Sequence, residues 1–409
     1  MGYLTDLAIP TSQRALKIWN EINACRDAAI WRLPHPIRVP SAGIHSLFVM
    51  QYAPIWQALA GRLESGASFD EVMLWLSHQA LASSLNEAHH ELPGSINSGP
   101  TRIQMACLRF MARQAPVFQV TDALNELLAG SDLGDVPTRY FRLPYPVCFV
   151  ETGRDRQTAF DAGLRMDAVD GVYPLEGAYL FEDRITVRAE VTVKAQALQL
   201  YELQEGESVR VITLIVMGSP VGRSSLMDDM GYTQSLYIRE QDEDLPLEHI
   251  LDRHAERYRR RDTKWGGDDV PEMIFDTMKV AVLHIAKAVL YVGSKSARIA
   301  KVSERSDADR RLERLKPGKR AKLERRSMRL YDHVVVGPAE VPQDLRHPRA
   351  EGGREGYSVR PHWRRGHFHT VLFGPGRSER RLEFFMPTLV RQDLLDGSPA
   401  PDVHPYRIT

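Results

Sequence analysis

The chain has 409 residues, 43% of them apolar and 26% charged, with 53 basic side chains balanced by 53 acidic ones. That length exceeds one average core and predicts two or three domains, and the ordinary apolar fraction excludes wholesale disorder. Three scattered cysteines, Cys25, Cys107 and Cys148, form no CxxC pair and exclude a disulfide framework, as expected in a reducing compartment.

The overall balance hides an asymmetry. Residues 294–391 carry 24 Lys/Arg against 12 Asp/Glu, whereas residues 1–293 carry 28 against 38. A net of +12 beside a net of −10 assigns the C-terminal part an electrostatic task.

Residues 1–135 read as helical. Apolar residues recur every three or four positions over 47–63, 69–85, 101–113 and 120–128, the period of an amphipathic helix. Pro54 lies inside the first of these and predicts a kink or a later start. Ser68 and Glu71 form a Ser-x-x-Glu capping box at the start of the second. His89 and His90, at its far end, suit the negative pole of the helix better than a metal.

Between 136 and 293 the pattern becomes mixed. Residues 140–151, aromatic and β-branched with Pro144 and Pro146, suit an edge strand. Ile185, Val187, Ala189, Val191 and Val193 alternate with polar residues as a half-buried strand. The apolar run 211–217 suits a central strand, and 234–238 adds another. Helices are expected over 247–262 and from Pro271 onward. The most apolar window, 273–292, holds Asp276, Lys279, His284 and Lys287, so it reads as a core helix and not a membrane span. Residues 1–10 include Asp6 and lack a basic flank, so no secretory signal is expected and a cytoplasmic location follows.

Residues 294–329 hold fourteen bases, five acids and no aromatic residue, which reads as a basic linker or exposed helices. Residues 330–409 alternate short strands (330–336, 357–360, 367–373, 381–386) with turns. The expected fold is therefore α+β: a helical N-terminal region (1–135), a central mixed or antiparallel sheet with helices (136–293), the basic stretch (294–329), and a small β-rich basic C-terminal region (330–409).

The most informative stretch is 359–390. On a strand, His367, His369 and Val371 share one face and Phe368, Thr370 and Leu372 the other. After the turn Gly374-Pro375-Gly376, Leu382, Phe384 and Met386 fill the buried side of the partner strand. Guanidiniums bind phosphate bidentately, and indole and imidazole rings stack on unpaired bases. Trp363, Arg364, Arg365, His367, Arg377, Arg380 and Arg381 are thus candidate contacts to RNA or the ribosome, with Arg314, Lys319, Arg320, Arg325 and Arg326 assisting. The competing reading is a solvated basic hairpin with Trp363 packed in its own core.

Other chemistry is thinner. His367 and His369, with Arg365, supply the residue types of a metal-independent ribonuclease, but their spacing matches no phosphoesterase signature. No cysteine or carboxylate cluster completes a metal site at His362 and His367, and no cofactor is expected. Residues 218–222 are Gly-rich without the P-loop lysine or GxGxxG spacing, and read as a tight loop. His249 and His254 are five apart on a helix, a poor spacing for shared ligation. A third reading, a plasmid or phage DNA-binding regulator, lacks a helix-turn-helix.

Three segments together carry a likeness: RLPYPVCFVE at 142–151, Lys316-Pro317-Gly318-Lys319-Arg320, and VRPHWRRGHF…GPGRSERRLEFFMPTLV over 359–390. In these the chain resembles the second-described type V-A anti-CRISPR family and its phage and plasmid relatives. The resemblance implies a protein that lowers production of the type V-A Cas effector nuclease. It implies recognition of the effector's N-terminal peptide during translation and loss of the corresponding mRNA. The partners so implied are a nascent polypeptide and RNA or the ribosome, with no membrane; it implies no catalytic residues.

Overall fold

The β-branched runs assemble into one eight-stranded mixed sheet in a computed structural model of the chain. It describes residues 3–24, 28–79, 99–152, 164–168, 171–188, 202–219, 230–259, 272–316, 320, 323–324, 327, 330–341 and 362–390. The strands are β1 (Val117–Val120), β2 (Val147–Glu151), β3 (Arg165–Ala168), β4 (Gly171–Thr186), β5 (Ser208–Gly218), β6 (Met230–Ile238), β7 (Ile299–Ser303) and β8 (Asp332–Val336). Their order is β6-β5-β4-β2-β1-β8-β7, with β3 paired to β4. Pairing is antiparallel except where β1 meets β2 and β8. The sheet takes strands from each of the stretches 1–135, 136–293, 294–329 and 330–409.

Side-chain alternation explains the layering. Val147, Phe149, Tyr179, Phe181, Ile215 and Met217 join one core, and Cys148, Val150, Ala178, Leu180, Leu214 and Val216 join the other. Successive residues on a strand point to opposite faces, so a central strand that is apolar throughout must be covered twice. Helices α1 (Ser12–Ala24), α2 (Ala28–Trp31), α3 (His35–Ser41), α4 (His45–Gln51), α5 (Trp56–Ser65), α6 (Phe69–Ser77) and α7 (Gly99–Ala112) lie on the first side. Helices α8 (Asp122–Ala129), α9 (Leu247–Arg259) and the long α10 (Glu272–Gly293) cover the second. A short α11 (Glu304–Glu313) follows β7.

The local signals mostly hold. Ser68 Oγ accepts from Glu71 N–H at 3.2 Å while Glu71 Oε2 accepts from Ser68 N–H at 2.8 Å, the reciprocal box expected at the start of α6. At Pro54 the helix breaks: α4 ends at Gln51, a 3₁₀ turn spans Ala53–Ile55, and α5 begins at Trp56. Residues 120–128 divide differently from expectation, into the end of β1 and then α8, capped by Thr121 Oγ1 accepting from Leu124 N–H. The expected edge strand at 140–151 is corrected: β2 lies between β1 and β4 and is buried along its whole length. Pro144 and Pro146 precede its first residue, so their missing N–H groups cost the ladder nothing. His89, His90, residues 189–193 and 357–360 lie outside the described residues.

Buried polar groups tie the layers together. Arg38 on α3 pairs with Glu176 on β4 at 3.0 Å, both almost fully buried. Arg109 on α7 grips Asp183 at the other end of the strand, with Nη1 to Oδ2 at 2.9 Å. On the opposite face, Lys287 of α10 donates to the carbonyls of Leu128 (3.1 Å) and Ser131 (2.6 Å), satisfying the C-terminal end of α8. His284, one turn earlier, bonds Asn125 Oδ1 at 2.9 Å. Among the described residues no helix is long and apolar enough to cross a membrane, and α10 is an interior helix.

Burial pushes the His284 imidazole down to about 3, and the nearby Lys287 charge adds to the effect. Between that value and the ordinary 6.5 of the unfolded chain, the unfolded state binds the extra proton, so stability rises with pH across this window and falls on acidification. Acidifying from pH 7 to pH 4 is expected to remove about 3 kcal/mol through this group. Urea titrations of wild type and His284→Phe at both pH values check it: the wild type should lose more stability than the variant, and parallel losses would assign the acid lability elsewhere.

Candidate nucleic-acid interface

Four short strands complete the described chain: β9 (His362–Arg364), β10 (His367–Phe373), β11 (Glu379–Phe385) and β12 (Thr388–Val390). β10 and β11 form the expected antiparallel hairpin, from His367 opposite Phe385 to Phe373 opposite Glu379. A 3₁₀ turn at Pro375–Arg377 joins them, with Gly374 at φ 78° and Gly376 at φ 64°. Both values lie where a Cβ is disfavoured, so the glycines make this tight reversal possible. β9 pairs with β12, setting the Trp363 backbone opposite Leu389; the Trp363 side chain lies outside the described residues.

The hairpin is welded to the body. Phe368, Leu382 and Phe384 are buried in the core beneath α10, and the Phe384 ring meets Tyr291 edge-on at 5.7 Å. Asp132 N–H donates to the Gly366 carbonyl at 2.9 Å, and Phe368 N–H donates to the Asp132 carbonyl at 3.2 Å. Lys295 N–H donates to the Leu382 carbonyl at 3.3 Å, and Phe384 N–H to Ser296 Oγ at 3.2 Å. Its orientation is therefore set by apolar packing and main-chain bonds.

The predicted cations fall into two groups on this scaffold. Arg364 and Arg365 are exposed at the open end of β10, and Arg377 and Arg380 are exposed at its turn end. Seven residue pairs at roughly 3.3 Å rise each separate the two ends by about 20 Å. Arg364, Arg377 and Arg380 have no carboxylate within ion-pair distance among the described residues. Arg381 differs: its Nε bonds Glu383 Oε1 at 2.6 Å and its guanidinium lies over the Phe373 ring at 5.0 Å, so its charge is already answered. Arg314 is exposed at the end of α11, but Arg320 turns back to the carbonyls of Leu315 (2.9 Å) and Glu313 (3.3 Å). Lys319, Arg325 and Arg326 lie outside the described residues.

His367 and His369 share a face, their ring centroids 6.5 Å apart. His367 stacks on Phe385 at 5.3 Å, and His369 stands directly opposite Glu383. A phosphodiester approaching both imidazoles would meet that carboxylate, and Arg381 beside it is already bonded to it. The pair suits ring stacking better than acid–base cleavage. Among the described residues no group of three or more His, Cys, Asp or Glu is placed to hold a metal. His254 is buried with both ring nitrogens in bonding distance of main-chain groups, Tyr237 N–H at 3.1 Å and the Ile250 carbonyl at 2.9 Å.

Sequence reasoning missed three exposed cations at the start of the basic stretch. Lys295, Arg298 and Lys301 were counted in the basic stretch without a shared location; they flank and occupy strand β7.

The family model described as AcrVA2-like, anti-CRISPR type V subtype A2, matches residues 118–392, which hold most of the sheet, α8 to α11 and the hairpin. No curated protein matches the chain. A solved structure described as the crystal structure of AcrVA2 is similar over 85% of this chain and 98% of its own, at 13% identity and a TM-score of 0.45, which adds nothing to the family match. With about two thirds of its length matched by that family model, the chain belongs to the type V subtype A2 anti-CRISPR family.

Proposed function

We propose that this anti-CRISPR protein recognises the N-terminal peptide of its target as it emerges from the ribosome and lowers the target's expression at the level of the mRNA. The basic C-terminal face supplies contact to RNA or the ribosome. The observation that supports this most is the set of exposed guanidiniums, Arg314, Arg364, Arg377 and Arg380, without carboxylate partners among the described residues, in a segment of net charge +12. Guanidiniums without a carboxylate partner have no ion pair to break when phosphates bind them, and a fixed scaffold adds no backbone ordering cost.

Sedimentation through a sucrose cushion with ribosomes tests the reading. Wild type is expected to pellet, and Arg364→Glu/Arg377→Glu/Arg380→Glu to pellet at least fivefold less at 100 mM salt, because each lost phosphate contact weakens binding and flattens its salt dependence. Equal pelleting would remove the role given to these residues. Selective recovery of nascent chains and their messages from cells tests the peptide half.

A further inference from the structure

Among the described residues strand β7 ends the sheet on an open edge. In an antiparallel pair, residues alternate between those whose N–H and C=O face the neighbour and those whose groups face away. The register sets Ile299 opposite Val336, Lys301 opposite Val334 and Ser303 opposite Asp332. Gly337 N–H donates to the Arg298 carbonyl at 2.9 Å, which fixes the phase. Arg298, Ala300 and Val302 therefore face β8, and Ile299, Lys301 and Ser303 turn their main-chain groups outward. Val336 agrees: its carbonyl accepts from Thr121 N–H at 3.0 Å, on the side away from β7. Four of the five β7 residues are exposed, Ile299 at 47%. Among the described residues nothing hydrogen-bonds the outward groups of Ile299 or Lys301.

The charge around this edge selects the occupant. Lys295, Arg298 and Lys301 are exposed and have no carboxylate within ion-pair distance among the described residues. Nearby acids are engaged: Asp309 by Arg305, Asp307 by Arg310, and Asp332 by the N–H groups of Arg305 and Ser306 at the start of α11. A second copy is a poor partner, since antiparallel pairing of two β7 strands about Lys301 would set ammonium against ammonium.

We infer that β7 is a docking edge for an extended peptide of another protein, which adds as a ninth strand, places a carboxylate beside Lys301 and lays an apolar side chain on Ile299. Main-chain bonds supply affinity, and the lysine and isoleucine supply selectivity. The inference rests on the reading that a peptide partner exists, and it gives that partner a location separate from the arginines of the hairpin.

The test uses the full chain and a fluorescein-labelled decapeptide built on the repeat Val-Thr-Glu-Thr, which sets valine and glutamate in turn along one face, followed by anisotropy. Wild type is expected to bind, with a lysine-for-glutamate version of the peptide at least tenfold weaker. Lys301→Pro removes an outward N–H that β8 does not use, so it is expected to keep the wild-type melting profile and to lose at least tenfold in affinity. Lys301→Gln keeps the N–H and is expected to lose about two- to fivefold. N-methylation along the peptide is expected to abolish binding at alternate positions only. Failure of wild type to bind, equal binding by Lys301→Pro, or a non-alternating methylation profile overturns the inference. So does a concentration-dependent dimer that Lys301→Pro abolishes, which would give the edge to a second copy. If Lys301→Pro does not fold, the methylation profile on wild type decides alone. Ribosome sedimentation of the same variants separates the two ideas: Lys301→Pro should pellet as wild type does, and an unchanged pellet for the hairpin arginine variant removes the RNA reading while leaving β7 standing.

Discussion

Arg38→Met is expected to lower the unfolding free energy by about 3–5 kcal/mol, read from urea denaturation, because it strands a buried carboxylate. In the native protein Arg38 donates to both Glu176 oxygens, at 3.1 and 3.0 Å, and to the Leu33 carbonyl at 2.5 Å. Glu176 also accepts from His35 N–H and Ser219 Oγ, and the His35 ring reaches the Tyr179 hydroxyl at 2.6 Å. Two segments far from Glu176 in sequence, residues 33–38 and Ser219, thus converge on one carboxylate. Water excluded from the cluster cannot return to solvate a lone charge. The double variant Arg38→Met/Glu176→Leu should recover more than half of the loss, since removing both partners leaves no uncompensated charge. A cost below about 1 kcal/mol for the single variant would show that this pair does not fasten α3 to β4.

Gly177→Ala is expected to cost about 3 kcal/mol or more and to move the chain into the insoluble fraction on expression. The register of β4 against β5 shifts between Leu175 and Gly177, so Glu176 is the extra residue of a β-bulge. The bulge aims Glu176 at Arg38. It works only because Gly177 adopts φ 155° with the β2 backbone against it: an added Cβ would lie 2.2 Å from the Val150 carbonyl oxygen and 2.9 Å from Phe149 Cε1. Neither atom can retreat, since both belong to a central strand packed on two faces. Gly61, inside α5, is the contrast, with nothing within 4 Å of the position a Cβ would take. Gly61→Ala is expected to stabilise by about 0.5–1 kcal/mol. Thermal melts of the two variants should therefore move in opposite directions, and a shared direction would refute the bulge argument.

Much of the local structure was legible. The Ser68–Glu71 box, the break at Pro54, the apolar run of β5 and the turn glycines of the β10–β11 hairpin are each decided by residues within one or two turns of chain. The candidate interface was legible in the same sense. Alternation placed Leu382, Phe384 and Met386 on the buried side, where Leu382 and Phe384 are buried and Met386 partly so, and charge placed arginines at both ends. The role of β2 was not legible, because prolines before a strand and prolines within one look alike until the ladder partner is known. Nor was the state of each arginine. Arg381 and Arg380 are neighbours in sequence, yet the pleat turns one toward Glu383 and Phe373 and leaves the other exposed.

By itself the sequence determined an α+β chain with an acidic body, a basic end, no disulfide framework and a family likeness that the family model bears out. Only the tertiary structure decided that strands from four stretches close one sheet, that Glu176 is held by Arg38, and that the basic stretch contributes an edge strand. The physical reason is range. Caps, turns and alternation are set by neighbours along the chain, whereas strand order and the direction in which a backbone amide points depend on which distant strands meet, and the Arg38–Glu176 pair joins residues 138 positions apart.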